Sequence, residues 1–90
     1  MKTKNIFLCK KVRQFFHETE LIELGQMTLS QIAQNFDVSQ EHLSRVFNKR
    51  MNINLNKFFM QIKLLKCALL IHQDPTLSIE KISKISGFSD

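Results

Sequence analysis

The fold is decided by residues 28–51, which read TLSQIAQNFDVSQEHLSRVFNKRM. Apolar side chains recur in this stretch at helical spacing, in two short stripes separated by a polar turn. Thr28 and Ser39 precede the two stripes as candidate N-caps, and Gln31 completes a capping-box pattern with Thr28. We therefore expect two short helices joined by a turn of about three residues near Asp37, which is the helix-turn-helix pattern.

Three further helices flank this pair, and together they predict an all-α protein. The first is expected over residues 5 to about 22. A longer helix has Asn54 as its candidate N-cap and covers residues 55–72. A last short helix begins after Ser78 and ends at Gly87. The long helix is expected to pack on the core through one apolar stripe, formed by Leu55, Phe58, Phe59, Ile62, Leu65 and Leu69.

The second half of the chain repeats part of the first half at an offset of 50 residues. Two short amphipathic helices can look alike by chance, but these two also share the register of the turn that follows. One mismatch sets Phe36 opposite Ser86. The shared register predicts a second helix-turn-helix unit that begins like the first. The matched pairs are Thr28 with Ser78, Leu29 with Ile79, Ile32 with Ile82, Ala33 with Ser83, Asp37 with Gly87, Val38 with Phe88 and Ser39 with Ser89.

The end of the sequence falls inside this second unit. Ser39 opens a surface helix in the first copy, whereas its counterpart Ser89 is followed only by Asp90. The second unit is therefore expected to be incomplete, and the apolar side chains of its helix to lack partners, at about 1.5–3 kcal/mol for each one left in water. We expect residues 76–90 to be loosely held or covered by a neighbouring molecule. The side chains concerned are Ile79, Ile82, Ile85 and Phe88.

The net charge of +5 is distributed in blocks. Residues 1–16 carry five Lys or Arg and no acid, residues 17–41 carry five acids and no Lys or Arg, and residues 42–73 carry six Lys or Arg and no acid. Blocks of charge produce charged faces, and a cationic face suits a polyanion such as nucleic acid. The same blocks also fit solvated helix faces, so charge alone leaves both interpretations open.

The sequence gives no support for enzymatic chemistry. It has no paired-carboxylate site, no nucleophile with a matching base and no glycine-rich phosphate loop. His17, His42 and His72 are far apart and have no carboxylate at metal spacing, so neither a metal nor another cofactor is expected. Cys9 and Cys67 form no CxxC pair and are expected to be free, buried thiols in a reducing cytosol.

No segment predicts membrane insertion or export. The apolar run over residues 64–71 is interrupted by Lys66, and the apolar triplet at residues 6–8 is too short for the core of a signal peptide. We therefore expect a cytoplasmic protein without a membrane partner.

Taken together, the motifs resemble the DNA-binding domain of AraC/XylS-type transcriptional regulators over nearly all of the chain. The resemblance implies two helix-turn-helix units joined by a long linker helix, with recognition helices that enter successive major grooves on one side of DNA. It divides the single domain of residues 1–90 into a first unit (1–52), a linker helix (53–73) and a partial second unit (74–90). The motifs are TLSQIA at 28–33, VS at 38–39, LSRVF at 43–47, KLLKC at 63–67, IEKI at 79–82 and GFSD at 87–90.

The departures from the family pattern have physical interpretations. Asp37 in the first turn and Asn52 after the recognition helix stand where the family usually has Gly, and both residue types tolerate left-handed backbone. Lys63 replaces an Arg of the linker helix, which weakens any bidentate contact at that place. Cys67 replaces a small Ala and is close to it in size.

The resemblance also implies which residues contact DNA, with the helix over residues 40–51 in the major groove. Arg45 can take a guanine edge with two hydrogen bonds and Gln40 an adenine edge, each at about 1–3 kcal/mol of discrimination. Glu41 can accept from cytosine or can simply stabilise the helix N-terminus. The implied base-contacting residues are Gln40, Glu41, Ser44 and Arg45, and the implied backbone-contacting residues are Thr28, Asn48, Lys49, Arg50, Lys57 and Lys63.

The implied function is that of a sequence-specific DNA-binding transcriptional regulator, with no small-molecule ligand in this region. Double-stranded DNA is the expected partner, and RNA polymerase or a homologous regulator are further candidates. The alternative is a truncated regulator that acts as a protein-interaction module, pairing with a full-length relative and inhibiting it.

Overall fold

The computed structural model describes the backbone of residues 2–88 and the side chains of residues 6–88. Within this range the chain contains six helices and no strand, which confirms the prediction of an all-α protein. None of these helices has both the length and the apolar character that crossing a membrane requires. The helices are α1 (Lys2–Glu18), α2 (Leu21–Leu24), α3 (Leu29–Asn35), α4 (Gln40–Met51), α5 (Leu55–Gln73) and α6 (Ile79–Ser86).

The first helix is shorter than predicted, because α1 ends at Glu18 instead of continuing to about residue 22. The hydroxyl group of Thr19 donates to the carbonyl oxygen of Phe15 at 2.6 Å, and Glu20 is extended with φ −68° and ψ 153°. A hydroxyl bonded back to a carbonyl one turn earlier slightly destabilises or bends a helix, and the extended Glu20 ends it. The chain then forms the single turn of α2, whose two leucines are buried.

Helices α3 and α4 form the predicted helix-turn-helix, and both predicted N-caps are confirmed. Thr28 Oγ1 accepts from the backbone N–H of Gln31 at 3.2 Å, and Gln31 Oε1 accepts from the N–H of Thr28 at 2.9 Å. Ser39 Oγ accepts from the N–H of His42 at 3.1 Å. Side-chain caps satisfy amide groups that have no partner inside the helix, so the start of each helix is fixed.

Two residues hold left-handed backbone without being glycine. Asp37 has φ 57° in the turn between α3 and α4, and Asn52 has φ 55° as the C-cap of α4. The N–H of Asn52 donates to the carbonyl oxygen of Asn48 at 2.9 Å and closes the helix. The prediction that these two positions accommodate left-handed backbone is confirmed.

The main hydrophobic core is enclosed by the first four helices and the start of α5. The ring of Phe16 lies 5.3 Å from that of Phe59 and 5.7 Å from that of Phe58, and Phe47 lies 5.0 Å from Phe58. These ring contacts join α1, α4 and α5 directly. The buried members of the main core are Cys9, Val12, Phe16, Leu24, Leu29, Ile32, Ala33, Leu43, Val46, Phe47, Leu55 and Phe59.

Helix α6 is anchored by a second, smaller cluster of Leu21, Cys67 and Ile82. Ile82 is only 5% exposed and Ile85 packs against the cluster, so the expectation that both lack partners is wrong. The partners are Leu21 on α2, which lies in the range predicted for the first helix, and Cys67 and Leu70 on α5. Ile79, by contrast, is 80% exposed, as expected for a side chain without a partner. Loose attachment of the end of the chain stays a prediction about its dynamics.

The second half of α5 is more exposed than its periodicity predicts. Leu65 and Leu69, both expected inside, are 59% and 53% exposed. Ile62 is the last residue of α5 that packs on the main core, and beyond it only the side carrying Cys67 and Leu70 meets the smaller cluster. Periodicity identifies the apolar face of a helix but not where its neighbours end, so these two assignments were wrong.

The repeated segments of the sequence have the same local geometry. Ser78 Oγ accepts from an N–H three residues ahead at 3.1 Å, as Thr28 Oγ1 does at 3.2 Å. Each helix is followed by one left-handed turn residue, with φ 57° in the first copy and 79° in the second. The next N–H bonds back five residues, at 3.2 Å for Val38 and 3.1 Å for Phe88. The cap predicted for Ser89 lies outside the described residues.

Both cysteines are buried free thiols, as predicted. Cys9 belongs to the main core and Cys67 to the smaller cluster. The thiol of Cys9 donates to the carbonyl oxygen of Val46 at 3.9 Å, which adds a polar link between α1 and α4.

Candidate nucleic-acid interface

The outer face of α4 carries the four predicted base-contacting residues side by side. Gln40, Glu41, Ser44 and Arg45 fall within about 140° of arc, because successive residues of a helix turn by about 100°. All are exposed except Ser44, which is half-buried. The opposite side of α4 is buried through Leu43, Val46 and Phe47.

Packing fixes the orientation of α4, and charged residues stabilise its two ends. Its buried side contacts α1, α3 and α5, so the helix has little freedom to rotate. Glu41 lies in its first turn, and Lys49 and Arg50 lie in its last, which places each charge where the helix dipole favours it. These three residues therefore stabilise the helix ends whether or not they also contact a ligand.

The residues predicted to hold the DNA backbone are spread over several places. Asn48 and Lys49 are exposed in the last turns of α4. Arg50 lies on the side of α4 that approaches Cys9 of α1. Burial raises the pKa of the Cys9 thiol, and the positive charges of Arg50 and Arg13 offset part of that increase.

A shallow cleft joins the starts of α3, α4 and α5 and brings three predicted residues together. Its lining includes Thr28, Gln40 and Lys63, together with Asn56 and Met60. Sequence reasoning missed Asn56 and Met60, although their spacing from Lys63 by seven and three residues places all three on one face of α5. The cleft adds an amide donor and acceptor to the cationic and capped groups already expected there.

Lys63 does not extend freely from α5. Its Nζ lies 4.5 Å from the ring centroid of Phe59 and 4.7 Å from that of Phe88. Burial lowers the pKa of the Lys63 ammonium group, while Cys67 acts in the opposite direction. Lys57, which is also predicted to contact the DNA backbone, is exposed.

The described residues contain no group of three or more His, Cys, Asp or Glu that could hold a metal ion. The features of the site are instead a capped helix, a left-handed turn and a second capped helix with a polar outer face. They define a helix-turn-helix, the class of motif that presents one helix to the major groove of DNA.

Two curated proteins are similar to this chain, and both are named as regulators. The chain is 30% identical over 66 residues to the Msm operon regulatory protein of Streptococcus mutans serotype c, which covers 73% of this chain and 23% of the relative. It is 33% identical over 63 residues to the uncharacterized HTH-type transcriptional regulator YfiF of Bacillus subtilis, which covers 70% of this chain and 20% of the relative. The chain thus spans about a fifth to a quarter of the length of these relatives. No family model and no solved structure matches it.

Proposed function

We propose that this chain is a sequence-specific DNA-binding transcriptional regulator of the AraC/XylS type that reads the major groove with α4. The observation that carries the proposal is the polar outer face of α4 on a helix whose other side is buried. A recognition helix needs both an exposed polar face and a scaffold that fixes its direction. The packing of α4 against α1, α3 and α5 supplies that scaffold, and the two regulators among its relatives support the same class.

Each residue of the outer face has a base edge that suits its chemistry. Arg45 takes guanine O6 and N7 with its guanidinium fork, and Gln40 takes adenine N6 and N7 with its amide. Ser44 is half-buried within the same arc, and its hydroxyl group can donate to or accept from a base edge. Glu41 accepts from cytosine N4 while also stabilising the start of α4.

The DNA backbone is held on both sides of this face. At its C-terminal end lie Asn48 and Lys49, in the last turns of α4, and Arg50 reaches the DNA backbone from the side of α4 that faces α1. At the other lie Thr28 at the start of α3 and Lys57 in the first turn of α5. Contacts to phosphate fix the register of the protein on the duplex but carry no sequence information themselves.

A second reading unit after α5 belongs to the same proposal. The cap and turn geometry of residues 28–38 recurs at residues 78–88, which supports a related unit there. The 19 residues of α5 span roughly 28 Å, a distance compatible with one helical turn of about 34 Å between groove entries. A cytoplasmic location, and RNA polymerase or a homologous regulator as further partners, follow from this assignment.

To test the proposal, the wild-type chain is used to select DNA duplexes from a random library. The affinity of two variants for the enriched sequence is then measured. Arg45→Ala is expected to weaken binding by about 1–3 kcal/mol and to relax the preference at one base position. Arg45→Lys keeps the charge but loses the fork, so it should lose the base preference while keeping the salt dependence. Unchanged binding of both folded variants would contradict the proposal. Lys10→Ala on α1 is the control, because it also removes one positive charge but lies outside the proposed interface.

A second candidate function is the protein-interaction module that pairs with a related regulator. The observation that favours it is the exposed apolar surface of α5, where Leu64, Leu65 and Leu69 are each more than half exposed. The discriminating measurement is the elution volume of the chain as a function of concentration. A dimer that forms at micromolar concentration and excludes DNA would favour this function over the first.

A further inference from the structure

The ammonium group of Lys63 lies between two aromatic rings that belong to different parts of the fold. Phe59 is 6% exposed and is part of the main core. Phe88 follows the left-handed turn at Gly87 and is 37% exposed. Distances of 4.5 Å and 4.7 Å from Nζ to the two centroids are both within the range of a cation–π interaction.

We propose that Lys63 is a positioning residue whose ammonium group holds the ring of Phe88 against α5 and so fixes the end of α6 to the main core. The residue acts through Phe88 and not through contact with a ligand.

Comparison of the two repeats shows why a cation is needed in only one of them. Val38 and Phe88 occupy matching positions, each with its N–H bonded back five residues. Val38 packs its side chain directly against the main core. The larger ring of Phe88 belongs to neither apolar cluster, and Lys63 supplies the contact that a core supplies for Val38.

The same geometry argues against Lys63 as an exposed phosphate ligand. An ammonium group that faces two rings has few directions left for an anion, and extending it to a phosphate would break both contacts. Lys57 lies six residues earlier on α5 and is exposed. We therefore assign the phosphate contact of α5 to Lys57 and the positioning role to Lys63.

The first experiment is hydrogen exchange at the amides of Gly87 and Phe88, which are bonded to Lys84 and Ser83. Lys63→Leu and Phe88→Leu should each accelerate exchange about two- to fivefold, which is the loss of a partly exposed cation–π contact. The double variant should exchange no faster than either single variant, because both changes remove one interaction. Lys63→Arg keeps a cation and should retain the protection of the wild-type chain.

The matched control is Lys57→Leu, which removes the same charge from the same helix and should leave these amides unchanged. Independent, additive effects of the two single variants would overturn the proposal, as would wild-type protection in Lys63→Leu. Exchange at the amides of α4 reports whether each variant keeps its main core.

The second experiment rests on the proposed function and measures the salt dependence of binding to a duplex of about 20 base pairs. Lys57→Leu should lower the slope of log K against log salt by about 0.9, and Lys63→Leu should leave it unchanged. An equal loss of slope in Lys63→Leu would make that residue a phosphate ligand and would overturn the positioning role. Absence of any binding by the wild-type chain would contradict the proposed function alone, since the exchange experiment needs no DNA.

Discussion

Gly25 and Gly87 pack backbone against backbone where α2 meets the end of α6. A Cβ atom on Gly87 would lie 2.3 Å from the carbonyl oxygen of Gly25, and one on Gly25 would lie 2.0 Å from that of Ile85. Gly87 also requires a left-handed backbone with φ 79°. The close approach of these two glycines is what allows α6 to reach the smaller cluster.

Gly25→Ala is expected to separate α6 from α2. Gly25 has ordinary helical backbone with φ −65°, so alanine fits its conformation. Any loss of stability must therefore come from the contact between the added Cβ atom and the backbone of α6. We expect the free energy of unfolding to fall by about 1–3 kcal/mol, the usual effect of forcing atoms into a filled position. Urea denaturation measures the loss, and faster amide exchange in α6 than in α4 locates it. Gln26→Ala at the neighbouring exposed residue is the control, and equal stability of both variants would contradict the close contact.

Asn52→Gly is expected to stabilise the chain by about 0.5–1 kcal/mol. Asn52 has φ 55°, a conformation that costs an L-residue roughly 1–2 kcal/mol, and glycine removes that cost at the price of a more flexible unfolded chain. The midpoint of urea unfolding should rise while its slope stays constant. Asn56→Gly, in the first turn of α5 and without a positive φ, should instead lower stability by about 0.3 kcal/mol. A loss of stability in both variants would mean that the side chain of Asn52 contributes more than its backbone strain.

The pH dependence of stability should differ between the wild-type chain and Cys9→Ala. Burial holds the pKa of the Cys9 thiol above its ordinary value of 9.0, so the unfolded chain loses this proton at lower pH than the fold does. The stabilising contribution is complete below about pH 9 and decreases as pH rises through the raised pKa of the folded state. Between about pH 7 and about pH 10 the wild type should lose more of its free energy of unfolding than Cys9→Ala. The lowered pKa of Lys63 changes stability with pH in the opposite direction, but Lys63 is present in both proteins and its effect cancels in the comparison. Parallel plots of the free energy of unfolding against pH would contradict the burial of Cys9.

The exposed leucines of α5 should tolerate polar substitution. Leu65 is 59% exposed, so Leu65→Gln should change the free energy of unfolding by no more than about 0.5 kcal/mol. Leu55, on the same helix, is 1% exposed, and Leu55→Ala should lower it by about 2–5 kcal/mol. Thermal or urea unfolding of the two variants checks the contrast. A large loss in Leu65→Gln would show that this surface is covered in solution, and a change in elution volume would then identify self-association.

Helix caps and turns, which depend on residues close together in the sequence, were predicted well from the sequence. The caps at Thr28 and Ser39 and the left-handed turn at Asp37 each depend on side chains within a few residues. The end of α1 at Glu18 was missed because neither Thr19 nor Glu20 is a stop signal of the strength of glycine or proline.

Features that depend on which elements meet could not be read from periodicity. The apolar stripe of α5 continues through Leu65 and Leu69, but no described helix covers it there. The pairing of Lys63 with Phe88 joins residues on two elements and leaves no local pattern. For the candidate interface, the outer face of α4 was predicted residue by residue, whereas Asn56 was found only once α5 was placed beside the helix-turn-helix.

The ring of Phe16 touches Phe58 and Phe59, and Phe58 in turn touches Phe47. A tilt of α4 would therefore displace Phe58 of α5 as well, because its ring lies 5.0 Å from that of Phe47. These ring contacts couple the orientation of the helix that carries the candidate interface to the orientation of α5.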